Sequence, residues 1–408
     1  MVVRITPKKL SGAVVPPPAK SAAHRIIIAA ALGDGVSTIR NVAFSKDIDA
    51  TLRCMGVLGA AWSQQGEKTI CVRGIGKTKP HFAALPCFDC GESGSTLRFV
   101  IPIALALCGG GVFTGQGRLM ERPMQPYFDL FTEHGIRFSQ SGNCLTVEGA
   151  LRAGEYRLAG NVSSQFFTGL LFALSLLDAP SRVISTTELE SADYVTMTVE
   201  AMASAGVRVE GSAAERMFTV YPGLYRPVDT TVEADWSQSG FWYAAKALGS
   251  AVEVQGLNPH SAQGDRVMAS LYQQLCCPGE VTVDLAPIPD LLPPLAVIAA
   301  VREGTTRFIN GARLRMKESD RLKTVGCMIK ALGGCAEEGE DSLTVRGVPS
   351  LSGGTVDGAN DHRIVMASAV AATACRGSVT ILGGEAAAKS YPDFFEVYRS
   401  WGGEVHVL

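Results

Sequence analysis

The stretch "VVPPPAKSAAHRIIIAAAL", Val14–Leu32, holds three prolines, then Lys20, Ser21, His24 and Arg25, then an almost unbroken aliphatic run. Proline is tolerated at a helix start and breaks a helix elsewhere, so the run predicts a helix opening near Lys20. Apolar on nearly every face, that helix is expected to be buried all round. Its polar residues crowd the first turns, where free amide N–H groups and the helix dipole favour an anion. Taken alone, the same residues also describe a solvated helix end.

The layout recurs along the chain. "GESGSTLR" leads into "FVIPIALAL", "NVSSQ" into "FFTGLLFALSLL", "EADWSQS" into "GFWYAAKAL", "IPD" into "LLPPLAVIAAV", and "NDHR" into "IVMASAVAATA". Lys20, Glu92, Ser163, Asp235, Asp290 and Asp361 mark steps of 72, 71, 72, 55 and 71 residues, which is an internal repeat. Each repeat also holds an amphipathic element followed by glycine and usually a short alternating strand, as in "YFDLFTEHGIRFS" and "LYQQLCCPGEVTV". The expected fold is α/β, with six repeats, each of strands plus one buried and one half-exposed helix. A unit of this size does not easily enclose its own core, so the repeats are expected to pack in larger groups. If the buried helices of each lobe aim their N-termini one way, two facing lobes direct six positive helix ends into one cleft. Such a cleft suits a compact, highly anionic ligand.

Composition narrows the ligand. With 37 Lys+Arg against 39 Asp+Glu, the net charge of -2 gives no general attraction to nucleic acid or an anionic membrane, so any anion site is local. Eleven cysteines, scattered from Cys54 to Cys375, suit a reducing cytoplasm rather than a disulfide framework. Cys87 and Cys90 in "CFDC" have redox or zinc spacing but no second pair, and read as structural thiols. The N-terminus lacks the apolar core of a signal peptide, and Pro and Gly break the longest apolar runs short of the roughly 20 residues that span a bilayer. "GIGKTK" is similar to the end of a phosphate-binding loop, but Cys71 stands where the first glycine belongs. The six histidines show no metal-ligand spacing, and no metal or organic cofactor is expected.

The polar mouths are unequally furnished. Lys20, Ser21 and Arg25 open the first; Gly94, which lets backbone approach a ligand, and Arg98 the second; Ser163, Ser164 and Gln165 the third. This half reads as a receptor for phosphate and hydroxyl groups. In the other half, Lys317 and Arg321 are expected one helical turn apart on a shared face, with Arg363 and Lys389 completing a second anion site and Arg122 reaching across. Asp290, flanked by proline and apolar residues, either caps its helix or transfers a proton with its carboxyl raised by desolvation. Glu318 likewise reads as a salt-bridged helix start or as a proton-transfer group.

The ordered set "PPPAKSAAHR", "GESGSTLR", "ERPM", "SSQF", "SADYVTMT", "IPD", "KESDRL", "NDHR" and "KSYPDFF" resembles the EPSP synthase family of enolpyruvyl transferases over essentially the whole chain. The resemblance implies two similar lobes, each of three βαβαββ units, with the active site in the interlobe cleft. It implies an N-terminal lobe at 17–228, mainly a shikimate 3-phosphate site, and a C-terminal lobe at 1–16 and 229–408, mainly a phosphoenolpyruvate site. The implied reaction moves the enolpyruvyl group of phosphoenolpyruvate to the 5-hydroxyl of shikimate 3-phosphate and releases phosphate. By the same resemblance Ser21, Arg25, Ser163, Ser164, Gln165, Ser191, Tyr194, Asp290 and Lys317 hold shikimate 3-phosphate. Lys20, Gly94, Arg122, Gln165, Arg321, Arg363 and Lys389 hold phosphoenolpyruvate or its departing phosphate. Glu318 with Lys20 is implied in proton delivery, and Asp290 in deprotonating the hydroxyl. Glu92 and Arg313 depart from the family pattern, standing where many relatives have Asn.

Two other readings compete. The UDP-N-acetylglucosamine enolpyruvyl transferases are similar in fold and reaction but carry a cysteine a few residues before the arginine corresponding to Arg122, and "GQGRLMER" has none. A non-catalytic anion-binding scaffold has no need of Asp290 and Glu318 beside Lys20, Arg363 and Lys389. With no coiled-coil seam in the sequence, a monomer is expected.

Overall fold

The computed structural model describes all 408 residues, and the chain divides into two compact units: Lys20–Glu233, and Met1–Ala19 together with Ala234–Leu408. Each has its own apolar core.

In the Lys20–Glu233 unit the repeat is regular. Strand Cys87–Asp89, helix Gly94–Cys108, strand Gly110–Thr114, helix Gln125–Glu133 and the hairpin Arg137–Ser141/Cys144–Glu148 form one βαβαββ repeat. The two strands flanking the buried helix pair in parallel, and the hairpin adds antiparallel at one edge. Residues 155–220 repeat this order of elements. The first repeat, with helix Lys20–Ala31, borrows its leading strand from the far end of the unit, Asp229–Thr231, which pairs in parallel with Val36–Arg40.

The other unit holds two complete four-stranded sheets and one two-stranded sheet. Its last repeat is closed by the chain start: Val2–Thr6 inserts between Val379–Leu382 and Glu404–Val407, antiparallel to both. The 55-residue step has a structural cause. Helix Trp236–Ala247 is flanked by parallel strands Ser11–Val14 and Ala251–Val254, but after helix Met268–Leu275 no hairpin follows. The strand expected from "LYQQLCCPGEVTV" to close this repeat, Gly279–Asp284, instead pairs with Gly304–Ile309 and opens the next one.

The buried helices begin at Lys20, Gly94, Gln165, Trp236, Leu292 and His362. Ser93, Asp235 and Asp361 accept hydrogen bonds from amides of the first turn and so cap three of them. Inside helix Gly94–Cys108, Pro102 has no N–H to offer the carbonyl of Arg98 four residues back. The hydroxyl of Tyr127, fully buried, takes that place at 2.8 Å. Gly169 in the facing helix makes the approach possible, because a β-carbon there would lie 2.3 Å from the Arg98 carbonyl oxygen and 2.5 Å from the Tyr127 hydroxyl.

Two helical glycines therefore respond oppositely to alanine. Gly169→Ala overpacks the helix contact and is expected to destabilise the protein by about 1–3 kcal/mol. Gly56→Ala, with nothing within 4 Å of the new methyl, is expected to stabilise it by about 0.5–1 kcal/mol through helix propensity. Urea unfolding midpoints of the two variants check both signs.

Candidate active site

In the Lys20–Glu233 unit the predicted residues form two clusters joined by helix Gln165–Leu174. In the first, Arg25 is almost completely buried. Its Nε donates to Thr198 Oγ1 (2.8 Å) and the Tyr194 carbonyl (3.1 Å), its Nη1 to the Ser21 carbonyl (2.7 Å), and its Nη2 to Thr168 Oγ1 (3.3 Å). The guanidinium also lies over the rings of Phe99 and Tyr194. Burial lowers Arg25 to about 10, so it stays charged at neutral pH. Ser191, at φ 53°, sits at the turn before the Tyr194 helix, and its carbonyl accepts from the Tyr194 amide.

The second cluster gathers Gln165, Arg98, Gly94 and Arg122. Gln165 Oε1 accepts from Arg98 Nη1 (2.7 Å), and its Nε2 donates to Ser95 Oγ (2.9 Å). Ser163 Oγ accepts from the Gln165 amide at 3.3 Å, and the adjacent Ser164 is buried. Gly94 opens its helix with Arg122 alongside: a β-carbon would meet Arg122 Nη1 at 2.6 Å. Lys20 Nζ lies 2.6 Å from Asp47 Oδ2. Glu92 packs against Gly117, where a β-carbon would come within 2.7 Å of its Oε2.

In the other unit the charges converge on Arg321, only 1% exposed. It meets three carboxylates: Asp290 through Nη1 (2.6 Å), Glu318 through Nη2 (2.7 Å) and Asp361 through Nε (2.8 Å). Asp290 is also reached by Arg363 Nη2 (3.2 Å) and Lys317 Nζ (3.7 Å), while Arg363 Nη1 donates to its carbonyl (3.1 Å). Lys389, also buried, donates to the Asn360 carbonyl at 2.7 Å. That carbonyl belongs to a turn in which Ala359 and Asn360 both have positive φ. Arg313 Nη2 donates to the Ala286 carbonyl, four residues before Asp290.

Three expectations change here. Asp290 is not a helix cap: it lies in the turn Pro289–Leu291, and the cap position, Leu291, offers no side-chain bond. Nor is its carboxyl raised: burial pushes it up, but Arg363, Lys317 and Arg321 outweigh burial and hold it well below the usual carboxylate range. Lys317 and Arg321 do not share a helix turn, since the helix starts at Arg321 and Lys317 is in extended conformation before it. The intervening loop still brings both cations to Asp290.

The sequence reading missed the partners. Asp361 served only to mark the repeat, yet it is fully buried, caps its helix through the Arg363 amide, and accepts from Ser319 and Arg321. A cap Asp two residues before an Arg is the local signal that was available. Asp47, which holds Lys20, and Asp265, which burial with nearby Asp290 and Asp235 raises to about 7, carry no sequence signal of their own.

These groups give opposite pH dependences. The Asp290 and Asp361 carboxyls lie below their unfolded value of about 3.9, so their contribution to stability is complete above about pH 4 and lost as pH falls further. Asp265 lies above its unfolded value, so between about pH 4 and 7 the folded state binds the extra proton and stability falls as pH rises. Asp265→Asn is expected to level that fall, measured as urea midpoints from pH 4 to 7. Arg321→Met leaves Asp361 buried without its guanidinium partner and is expected to cost about 3–5 kcal/mol in the same assay.

The sequence matches the family described as EPSP synthase (3-phosphoshikimate 1-carboxyvinyltransferase) at residues 5–282 and 276–398. It is 42% identical to the 3-phosphoshikimate 1-carboxyvinyltransferase of Clostridium kluyveri, covering 99% of this chain and 98% of that one. It is 40% identical to the enzyme of the same name from Clostridium novyi, covering 98% and 97%. The fold is similar to that of the Acinetobacter baumannii EPSP synthase, with a TM-score of 0.81 at 22% identity and full coverage of both chains. Sequence and fold together place this chain in the EPSP synthase family of enolpyruvyl transferases.

Proposed function

We propose that this enzyme transfers the enolpyruvyl group of phosphoenolpyruvate to the 5-hydroxyl of shikimate 3-phosphate, giving 5-enolpyruvylshikimate 3-phosphate and phosphate, in chorismate and aromatic amino acid biosynthesis. The observation that carries this reading is the meeting of two carboxylates, Asp290 and Glu318, with Lys317, Arg321 and Arg363 in a member of the family that spans 98% of its Clostridium kluyveri relative. Both substrates carry a phosphate and a carboxylate, groups that guanidinium and ammonium side chains recognise. We assign the N-terminal unit mainly to shikimate 3-phosphate and the C-terminal unit mainly to phosphoenolpyruvate, with Lys20, Gly94, Arg122 and Gln165 also serving the latter. The chain is read as a cytoplasmic monomer, in keeping with its eleven free thiols.

The reaction needs a proton on the vinyl carbon, loss of the hydroxyl proton as oxygen adds to the neighbouring carbon, and departure of phosphate from the tetrahedral intermediate with loss of a methyl proton. Asp290 is assigned to the hydroxyl, and Glu318 with Lys20 to the carbon. Without substrate, Asp290 is too well compensated to be a strong base. Substrate anions that draw Arg363 and Lys317 toward themselves weaken that compensation to the Arg321 contact, and burial with the added anions then raises the carboxyl from its resting value.

Phosphate release from phosphoenolpyruvate by the purified protein is expected with shikimate 3-phosphate and not with UDP-N-acetylglucosamine. Silence of the folded protein with both acceptors would support the scaffold reading. Asp290→Asn is expected to retain shikimate 3-phosphate binding, measured by calorimetry, while kcat falls at least about 100-fold.

A further inference from the structure

Helices Lys20–Ala31 and Lys46–Val57 are joined by two rungs one helical turn apart. Lys20 pairs with Asp47 at 2.6 Å, and His24 Nδ1 meets Thr51 Oγ1 at 2.7 Å. The second rung continues into a third helix: Thr51 Oγ1 lies 2.7 Å from Thr96 Oγ1, which lies 2.8 Å from Ser93 Oγ. Ser93 is the cap of helix Gly94–Cys108 and accepts from the Thr96 amide at 3.2 Å. His24, Thr51, Thr96 and Ser93 are each at most 1% exposed, so no water competes for these bonds.

The chain has a direction. Each hydroxyl has one hydrogen to give. If Thr96 gives its hydrogen to Ser93, it accepts from Thr51, and Thr51 accepts from His24. The imidazole hydrogen then sits on Nδ1. Nε2, buried without a partner, keeps only a lone pair, which costs less to bury than a stranded N–H. Burial lowers His24 to about 3, with Lys20 and Arg25 adding to the effect and Asp47 opposing it, so the ring is neutral through the working pH range.

We propose that His24, Thr51 and Thr96 are positioning residues that fix the Lys20 ammonium relative to the Gly94 amide, and so set the fit of the enzyme to phosphoenolpyruvate. The proposal rests on the function assigned above, under which both groups bind that substrate. Through Asp47 and Thr51, which lie four residues apart, one helix holds Lys20 on one rung and the cap of the Gly94 helix on the other.

Thr51→Val interrupts the chain at nearly constant shape. The KM for phosphoenolpyruvate is expected to rise about tenfold, with kcat and the KM for shikimate 3-phosphate within about twofold, and Thr51→Ser is expected to restore it. Nitrogen chemical shifts of labelled His24 are expected to show a protonated Nδ1 and an unprotonated Nε2 from pH 5 to 9, and amide exchange at Thr96 to accelerate in Thr51→Val. An unchanged KM for phosphoenolpyruvate in Thr51→Val, or a fall of kcat and Tm accompanied by a parallel rise of both KM values, would overturn the proposal. So would the opposite tautomer or unchanged Thr96 exchange. If the unaltered protein releases no phosphate, the assigned function fails instead, along with any role in substrate fit, while the shifts and exchange still decide whether the chain orders the Gly94 helix start.

Discussion

A helix buried on every side can meet water or a ligand only at its ends. That constraint governs both units of this protein. The sides of helices such as Gly94–Cys108 and His362–Ala371 are committed to apolar packing, so polar chemistry collects where each chain enters its helix. Four amide N–H groups there have no helical acceptor and favour oxygen-rich or anionic partners. In three of the six helices a capping serine or aspartate takes up part of that demand. The rest of the mouth is left to polar side chains such as Lys20, Gln165 and Arg363, so a repeat built for packing also repeats a place for polar groups.

Burying charge at these mouths is costly unless the charges compensate one another, and the molecule resolves this differently at neighbouring positions. Arg321 is desolvated, but Asp361, Glu318 and Asp290 raise its pKa despite burial. Asp290 gains from three cations and is held low, whereas Asp265, facing Asp290 and Asp235 with less compensation from Arg363, is pushed up. The same burial therefore yields one carboxyl that stays ionised and one poised near neutrality. A site with this much internal pairing binds an anion by exchanging partners rather than by filling an empty pocket. Under the function proposed above, the electrostatic gain from substrate is then a difference between two well-paired states, and the proposal makes the pKa of Asp290 responsive to substrate.

The fold was legible because its signals are periodic and local. Apolar runs such as Ile26–Leu32 and Phe166–Leu174 read as buried helices, and the spacing of Lys20, Glu92 and Ser163 exposed the repeat. Pairing across long separations was not legible. Strand Gly279–Asp284 looks in sequence like the end of one repeat, and only its parallel register with Gly304–Ile309 assigns it to the next. The site divides the same way. Cations at helix mouths stood out by type and place, but whether Asp290 was a cap, a raised acid or a compensated anion depended on Arg321 and Arg363, 31 and 73 residues away. Electrostatic environment is tertiary information, and a flanking proline is a poor substitute for it.

The repeat also bears on how the chain folds. Residues Lys20–Glu233 are contiguous, so their sheets can form as the segment emerges, apart from the return strand Asp229–Thr231. The other unit has to join the two ends of the chain. Val3 pairs with Ile381 and Val407, and Ser11–Val14 supplies the only partner of Ala251–Val254. Loop-closure entropy for such contacts is lost before their burial compensates for it. Folding of Lys20–Glu233 shortens that loop by bringing residues 20 and 233 into one compact body. A contiguous unit that folds first would link the two segments of its neighbour, so the insertion of Lys20–Glu233 between them need be no topological burden.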